Sequence, residues 1–162
     1  MRSLAHVLFA VAFFWPALSL SMLTRLFAGY LFIDGVLAVA PGGLTRRDRV
    51  VWPLAAGGLA GIAIAAVIYC GPGLGFAGLV TSAAAWAIAV GIAYGLAAVT
   101  LREADRDHLL LLGSIASLLF ARALLSGTAS DPVVLSTWMG LYALTMGVVT
   151  LNLALKQYRL SW

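Results

Sequence analysis

Six long runs of apolar residues alternate along the chain with short polar or glycine-rich segments. The runs are Leu4 to Leu18, Met22 to Ala40, Val51 to Tyr69, Phe76 to Thr100, Leu109 to Leu125 and Val133 to Leu155. A helix needs about 20 mostly apolar residues to cross a bilayer, and tilt and blurred ends accommodate runs of different length. The pattern therefore predicts six transmembrane helices.

The breaks between the runs group these helices into pairs. Pro16 to Ser19, Cys70 to Gly75 and Ser126 to Pro132 are short segments whose proline, glycine and serine residues favour turns. Two polar segments, Pro41 to Arg49 and Arg102 to Asp107, separate one pair from the next. The chain is thus predicted to form three helical hairpins.

The second helix of each predicted hairpin carries an aromatic residue five positions before a glycine. The aromatic residues lie at positions 30, 86 and 142, so the spacing is 56 residues in both intervals. The pairs are Tyr30 with Gly35, Trp86 with Gly91, and Tyr142 with Gly147. Because a hairpin returns the chain to its starting side, successive copies share one orientation about an axis along the membrane normal. We predict a single membrane domain over 1–162, with repeats at 1–44, 45–100 and 101–162 in a pseudo-threefold, all-α bundle.

Composition agrees with a membrane protein and excludes several classes of function. Hydrophobic residues make up 63% of the chain and charged residues 10%, against about 45–50% and 25% in soluble domains. Six spans leave only short connections, so we expect neither a soluble catalytic domain nor a nucleic-acid partner. Cys70 is the single cysteine, which excludes an internal disulfide.

The basic residues are distributed unevenly across the six predicted spans. One side carries Arg2, Arg46, Arg47, Arg49, Arg102, Arg106, Lys156 and Arg159, whereas the other has at most Arg25 and Arg122. Cytoplasmic loops are enriched in Lys and Arg, so we expect both termini in the cytoplasm. Arg2 and the small-residue pattern Ala17 to Ser19 are also typical of a cleavable signal peptide. Cleavage would remove half of the first hairpin, so we expect this helix to be retained.

Four strings of residues resemble the HdeD family of bacterial short-repeat membrane proteins. They are Phe14 to Leu20, Leu26 to Val36, Ala85 to Gly91 with Leu101 and Arg102, and Met139 to Gly147. The resemblance implies a six-helix protein of the bacterial inner membrane that is associated with acid resistance, in a family without an established molecular activity. Thr128 stands where the other repeats have Pro16 and Pro72, and Arg122 lies inside the fifth predicted helix; both depart from the pattern.

Asp34 is the most informative candidate residue, because an ionisable group in an apolar span is costly and needs a partner. In a hairpin that turns near Ser19, Asp34 lies at the depth of Leu4 to His6, so His6 is its expected partner. A carboxylate beside an imidazole suits proton relay. A hydrogen bond that fixes helix packing is the alternative that we favour, because one such pair does not make a transmembrane pathway.

Arg25 and Arg122 are the other candidate buried polar residues. Each lies one to two turns from the outer end of its helix, so the side chain can extend to the lipid headgroups. Arg122 is the deeper of the two and has Asp131, Ser136 and Thr137 as possible partners. Binding of an anion or lipid phosphate by both arginines is a weaker alternative, because neighbouring arginines repel.

The remaining motifs point to packing rather than chemistry. The repeated aromatic residues either surround a central axis or act as packing wedges, and the pairs Gly57 with Gly61 and Gly91 with Gly95 favour close helix contacts. Carboxylates alternate with arginines from Arg102 to His108, which is typical of a solvated loop rather than a metal site. The sequence contains no recognisable catalytic set, so we expect no enzyme, no metal and no cofactor.

Three functions remain open at this stage. The first is an HdeD-like protein of the inner membrane that supports envelope stress or acid tolerance, with the lipid bilayer as its partner. The second is an accessory subunit of a larger membrane complex, or a self-associating protein. The third is a small channel or transporter for protons or a small solute, which the scarcity of polar residues in the spans disfavours.

Overall fold

The computed structural model describes residues 2–15, 18–44, 51–71, 73–100 and 104–159, and within them the chain forms six α-helices. They are α1 (Arg2–Phe13), α2 (Leu20–Leu44), α3 (Val51–Cys70), α4 (Phe76–Thr100), α5 (Ala104–Leu125) and α6 (Pro132–Arg159). Within the same residues, α2 to α6 are each long and apolar enough to cross a membrane. The predicted all-α membrane architecture is confirmed at this level.

Helix α1 is shorter than the sequence predicted. It has 12 residues, Arg2–Phe13, and ends before the expected Leu18. At 1.5 Å per residue its length is about 18 Å, less than the roughly 30 Å of a bilayer core. The helix tightens at its end, where the amide of Trp15 donates to the carbonyl of Ala12, and Pro16 disfavours helical geometry in the residue before it. Within the described residues, this run is therefore a shorter apolar helix rather than one of the full-length spans.

Two predicted polar connections are partly helical. Helix α2 continues past Ala40 to Leu44, and α5 begins at Ala104 inside the stretch expected to be a loop. Residues 45–50 and 101–103 lie outside the described residues, as do the basic residues and Glu103 that were placed there. Apolar periodicity indicates where a helix enters the membrane but not where its backbone hydrogen bonding ends.

Side-chain caps begin two of the long helices. The Ser19 hydroxyl accepts a hydrogen bond from the amide of Met22 at the start of α2. At the start of α6, Asp131 Oδ1 accepts from the amides of Val133 (2.8 Å) and Val134 (3.0 Å). These bonds stabilise the carboxylate and lower the pKa of Asp131. Asp131 is thus a helix cap.

Each helix contacts the next one along the chain, and α1 also contacts α6. The most extensive contacts are α2 with α3, α4 with α5, and α1 with α6. None of these pairs belongs to one predicted hairpin. The helices consequently pack more closely between predicted hairpins than within them, and α1 joins the beginning of the chain to its last helix.

The three repeated glycines lie in these three contacts. A Cβ atom built on Gly35, Gly91 or Gly147 would come within 2.5 Å of the Gly58 carbonyl oxygen, 2.9 Å of Leu118 Cγ and 3.3 Å of His6 Cβ, respectively. Small residues allow such close approach of helices in a membrane, where dispersion contacts replace the hydrophobic effect as the force between helices. The repeat identified in the sequence therefore marks helix contacts.

We predict that Gly35→Ala destabilises the bundle. Its Cβ would meet backbone at Gly58, which cannot move without shifting α3, and overpacking of this kind costs about 1–3 kcal/mol. The matched control is Gly29→Ala in the same helix, whose Cβ would meet nothing closer than the Tyr69 hydroxyl at 3.8 Å. Unfolding free energies in detergent micelles should separate the two variants, and equal stability would contradict the assignment of the α2–α3 contact.

Candidate functional site

The repeated aromatic residues of α2, α4 and α6 meet in the core. The Trp86 ring lies edge-on to both neighbours, with ring centroids 5.4 Å from Tyr30 and 5.5 Å from Tyr142. All three side chains are buried. Edge-to-face contacts of this kind are a favoured aromatic arrangement, so the three residues form one aromatic layer.

Each ring of the aromatic layer is accommodated by the first helix of its own predicted repeat. The hydroxyl of Tyr30 hydrogen-bonds His6 Nδ1, and that of Tyr142 hydrogen-bonds Ser117 Oγ, both at 2.9 Å. At the indole the equivalent position is Gly61, where an added Cβ would lie 3.2 Å from Trp86 Nε1. The hydroxyls of Tyr30 and Tyr142 thus each have a hydrogen-bond partner, whereas the indole of Trp86 packs against a glycine.

Asp34 forms a buried ion pair with Arg2 at one end of this layer. Arg2 Nε lies 2.6 Å from Asp34 Oδ1, and a second nitrogen, Nη2, lies 2.9 Å from Oδ2. The Asp34 side chain is 5% exposed and that of Arg2 is 20% exposed. The Arg2 guanidinium also lies over the Tyr94 ring, 5.9 Å from its centroid. Both carboxylate oxygens are therefore used in joining α1 to α2.

His6 lies beside the ion pair as a second neighbour of Asp34. Its Nε2 atom is 3.3 Å from Asp34 Oδ1, but it is not aligned for a hydrogen bond. Within the described residues, this buried nitrogen has no hydrogen-bond partner. The structure thus brings Asp34 and His6 together as expected from their depth, but Arg2 is the partner that forms the direct bonds.

Arg2 is the site residue that sequence reasoning missed, since it was placed among the cytoplasmic loop residues. A signal was available in the helical spacing. Arg2 and His6 are four residues apart, so they share one face of α1. A long arginine side chain one turn beyond His6 reaches the depth of Asp34, and a guanidinium is a stronger partner for a carboxylate than an imidazole.

The two other candidate arginines do not join this site. Arg25 and Arg122 are both exposed on the surface of the bundle rather than buried within it. The partners considered for Arg122 are bonded to backbone instead: Asp131 caps α6, and the hydroxyl of Ser136 donates to the carbonyl of Phe13 at 2.8 Å. The Thr137 hydroxyl donates to the carbonyl of Val133. Exposure on the bundle surface agrees with long side chains that extend toward headgroups.

A layer of leucines fills the core toward the hairpin turns. Leu23, Leu79 and Leu135 each have 0% exposure, and each is the fourth residue of its helix. The polar contacts around Asp34 lie beyond the aromatic layer from these leucines. The core therefore has apolar, aromatic and charged levels in succession, and the charged level joins helices.

A family model described as "Short repeat of unknown function (DUF308)" matches residues 4–70, which include most of α1 and all of α2 and α3. HdeD proteins, which the sequence resembles, are of this short-repeat family type. No curated protein and no solved structure matches the chain. The apolar helices indicate a multi-pass membrane protein, and the match makes residues 4–70 similar to a short repeat of unknown function.

Removal of the guanidinium in Arg2→Ala should destabilise the protein strongly. Asp34 would be left as an unpaired buried carboxylate, and breaking a buried pair in this way costs about 3–5 kcal/mol. The matched control is Arg25→Ala, an exposed arginine whose loss should change stability by at most about 0.5 kcal/mol.

The double variant Arg2→Met, Asp34→Leu should recover much of the stability lost in Arg2→Ala, because apolar residues of similar size often replace a buried pair without loss. Unfolding free energies in detergent micelles measure all three variants. Equal stability of Arg2→Ala and Arg25→Ala would show that the ion pair contributes nothing.

Proposed function

We propose that the chain consists of three tandem hairpins, at 1–44, 45–100 and 101–162, related by a pseudo-threefold axis. Three observations support this arrangement, namely the positions of the repeated glycines, of the aromatic layer and of the leucine layer. The repeated glycines Gly35, Gly91 and Gly147 lie in three corresponding helix contacts. The aromatic layer and the leucine layer each take one residue from α2, α4 and α6. In this arrangement α1 closes the ring by packing on α6.

The proposed location is the bacterial inner membrane, with both termini in the cytoplasm and with lipid as the partner of the outer surface. Large apolar side chains such as Leu8, Leu59 and Leu119 are more than half exposed, which suits lipid contact. Lys156 and Arg159 lie in the last turns of α6, at the end expected to face the cytoplasm. Arg2 pairs with Asp34 and so no longer counts among the basic loop residues. The remaining basic residues still favour the same side of the membrane.

The function that the geometry supports best is that of a non-catalytic, non-conducting structural protein of the HdeD type, which supports envelope stress or acid tolerance. The observation that carries this proposal is the filled core, in which Trp86 contacts both Tyr30 and Tyr142. A conducting path needs polar lining and space for water. The buried charges are instead paired across α1 and α2, which is the placement that a packing role predicts.

A proton-leak measurement tests the non-conducting role. The full chain, reconstituted into liposomes with an imposed pH gradient, is expected to leak protons no faster than empty liposomes. Asp34→Asn is the matched variant, because it keeps the shape of the side chain and removes its charge. A leak in the wild type that disappears in Asp34→Asn would replace the structural proposal with proton conduction.

Survival of a deletion strain tests the cellular role. Deletion of the gene in the source bacterium is expected to lower survival after acid or envelope stress. A plasmid copy of the wild type or of Gly29→Ala should restore survival, whereas Gly35→Ala should not, because of these two glycines Gly35 is the one that lies in a close helix contact. Unchanged survival of the deletion strain would overturn the stress-tolerance role without affecting the proposed architecture.

A further inference from the structure

Asp34 has two cationic candidates within ion-pair distance, and they differ in how they are held. Arg2 bonds both carboxylate oxygens, at 2.6 and 2.9 Å. His6 Nε2 lies 3.3 Å from Oδ1, outside hydrogen-bond geometry. The Tyr30 hydroxyl holds the other ring nitrogen, Nδ1, at 2.9 Å. His6 is thus fixed beside a carboxylate that it does not bond.

We propose that Asp34 exchanges Arg2 for His6 when His6 takes up a proton, and that this exchange releases the first turn of α1 from the bundle. Imidazole is the side chain whose charge changes most readily near neutral pH. With His6 neutral, Arg2 and Asp34 make the cluster neutral overall. One added proton leaves a single positive charge in excess, which burial disfavours.

The surrounding groups determine which cation leaves Asp34. On α1 itself, Arg2 lies on the same face as His6. Helix α2 contributes Tyr30, which bonds His6, and Asp34, which pairs with Arg2. Helix α4 contributes Tyr94, whose ring lies under the Arg2 guanidinium. From α6, Gly147 lies against His6 Cβ and carries no charge. A protonated His6 therefore has one carboxylate to attract it and one guanidinium to repel it among these groups.

Arg2 is the cation that can leave. Its side chain is 20% exposed, whereas that of His6 is 2% exposed. A long arginine side chain at the rim of the bundle can reach water or lipid headgroups, but a buried imidazole bonded to Tyr30 cannot. Because α1 begins at Arg2, release of this side chain frees the first turn of the helix, while the bond between the Phe13 carbonyl and α6 persists.

The test measures the position of α1 relative to α2 as a function of pH. Spin labels are placed at Leu4→Cys and Val36→Cys, two exposed positions, in a Cys70→Ser background that removes the single native cysteine. The full chain is studied in lipid nanodiscs from about pH 7.5 to about pH 3, a range that extends below ordinary imidazole titration because burial disfavours the charged imidazole. We expect the short-distance population, in which the two labels lie as close together as they do near neutral pH, to decrease in acid.

Two histidine variants separate the proposal from a general acid effect. His6→Gln cannot take up a proton and should keep the short distance throughout the range. His108→Gln removes the only other histidine of the chain, an exposed one on α5, and should respond to acid as the wild type does. A shift that persists in His6→Gln, or no shift in the wild type, would overturn the proposal.

A second measurement keeps the proposal testable if His6→Gln does not fold. In His108→Gln the imidazole NMR signals report His6 alone. Their titration midpoint should coincide with the loss of the short-distance population in the same variant. Titration of His6 without movement of α1, or movement without titration, would refute the exchange. The result is independent of the cellular role, because no step depends on stress tolerance.

Discussion

The close approach of helix backbones at three contacts is the constraint on which the rest of the structure depends. In a bilayer the lipid chains are as apolar as the side chains, so apolar burial alone does not hold helices together. Gly35, Gly91 and Gly147 remove the side chain where α2 meets α3, α4 meets α5 and α6 meets α1. Dispersion contacts are therefore dense at these three helix contacts. The same helix pairs position the rings of the aromatic layer so that they touch one another.

The short helix α1 needs a different kind of attachment. With 12 residues it offers fewer contacts than its equivalents in the other repeats, α3 with 20 and α5 with 22. Polar bonds supplement its packing at both ends: Arg2 pairs with Asp34 on α2, and the Ser136 hydroxyl of α6 bonds the carbonyl of Phe13. Charge-assisted bonds are strong in a site removed from water, so a few of them suit a helix with little surface.

The same interactions are the basis on which we propose a structural function rather than transport. Several polar groups of the core join helices or bond phenol hydroxyls, as at Ser117 and His6, and the buried hydroxyls of Thr24 and Thr150 bond carbonyls of their own helices. His6 Nε2 is the exception among the described residues, because it is buried beside a charge without a bond of its own.

The sequence by itself determined the membrane class, the approximate position of five long helices, the repeat and the depth at which Asp34 and His6 meet. These features depend on local composition and on spacing along the chain. Tertiary structure decided that α1 stops at Phe13, that Arg2 is the direct partner of Asp34, and that the closest helix pairs come from different predicted hairpins. In helices that are apolar on nearly every side, hydrophobic periodicity does not indicate which face turns inward. The rotation of each helix, and hence the choice of ion-pair partner, is therefore set by contacts between residues far apart in the chain.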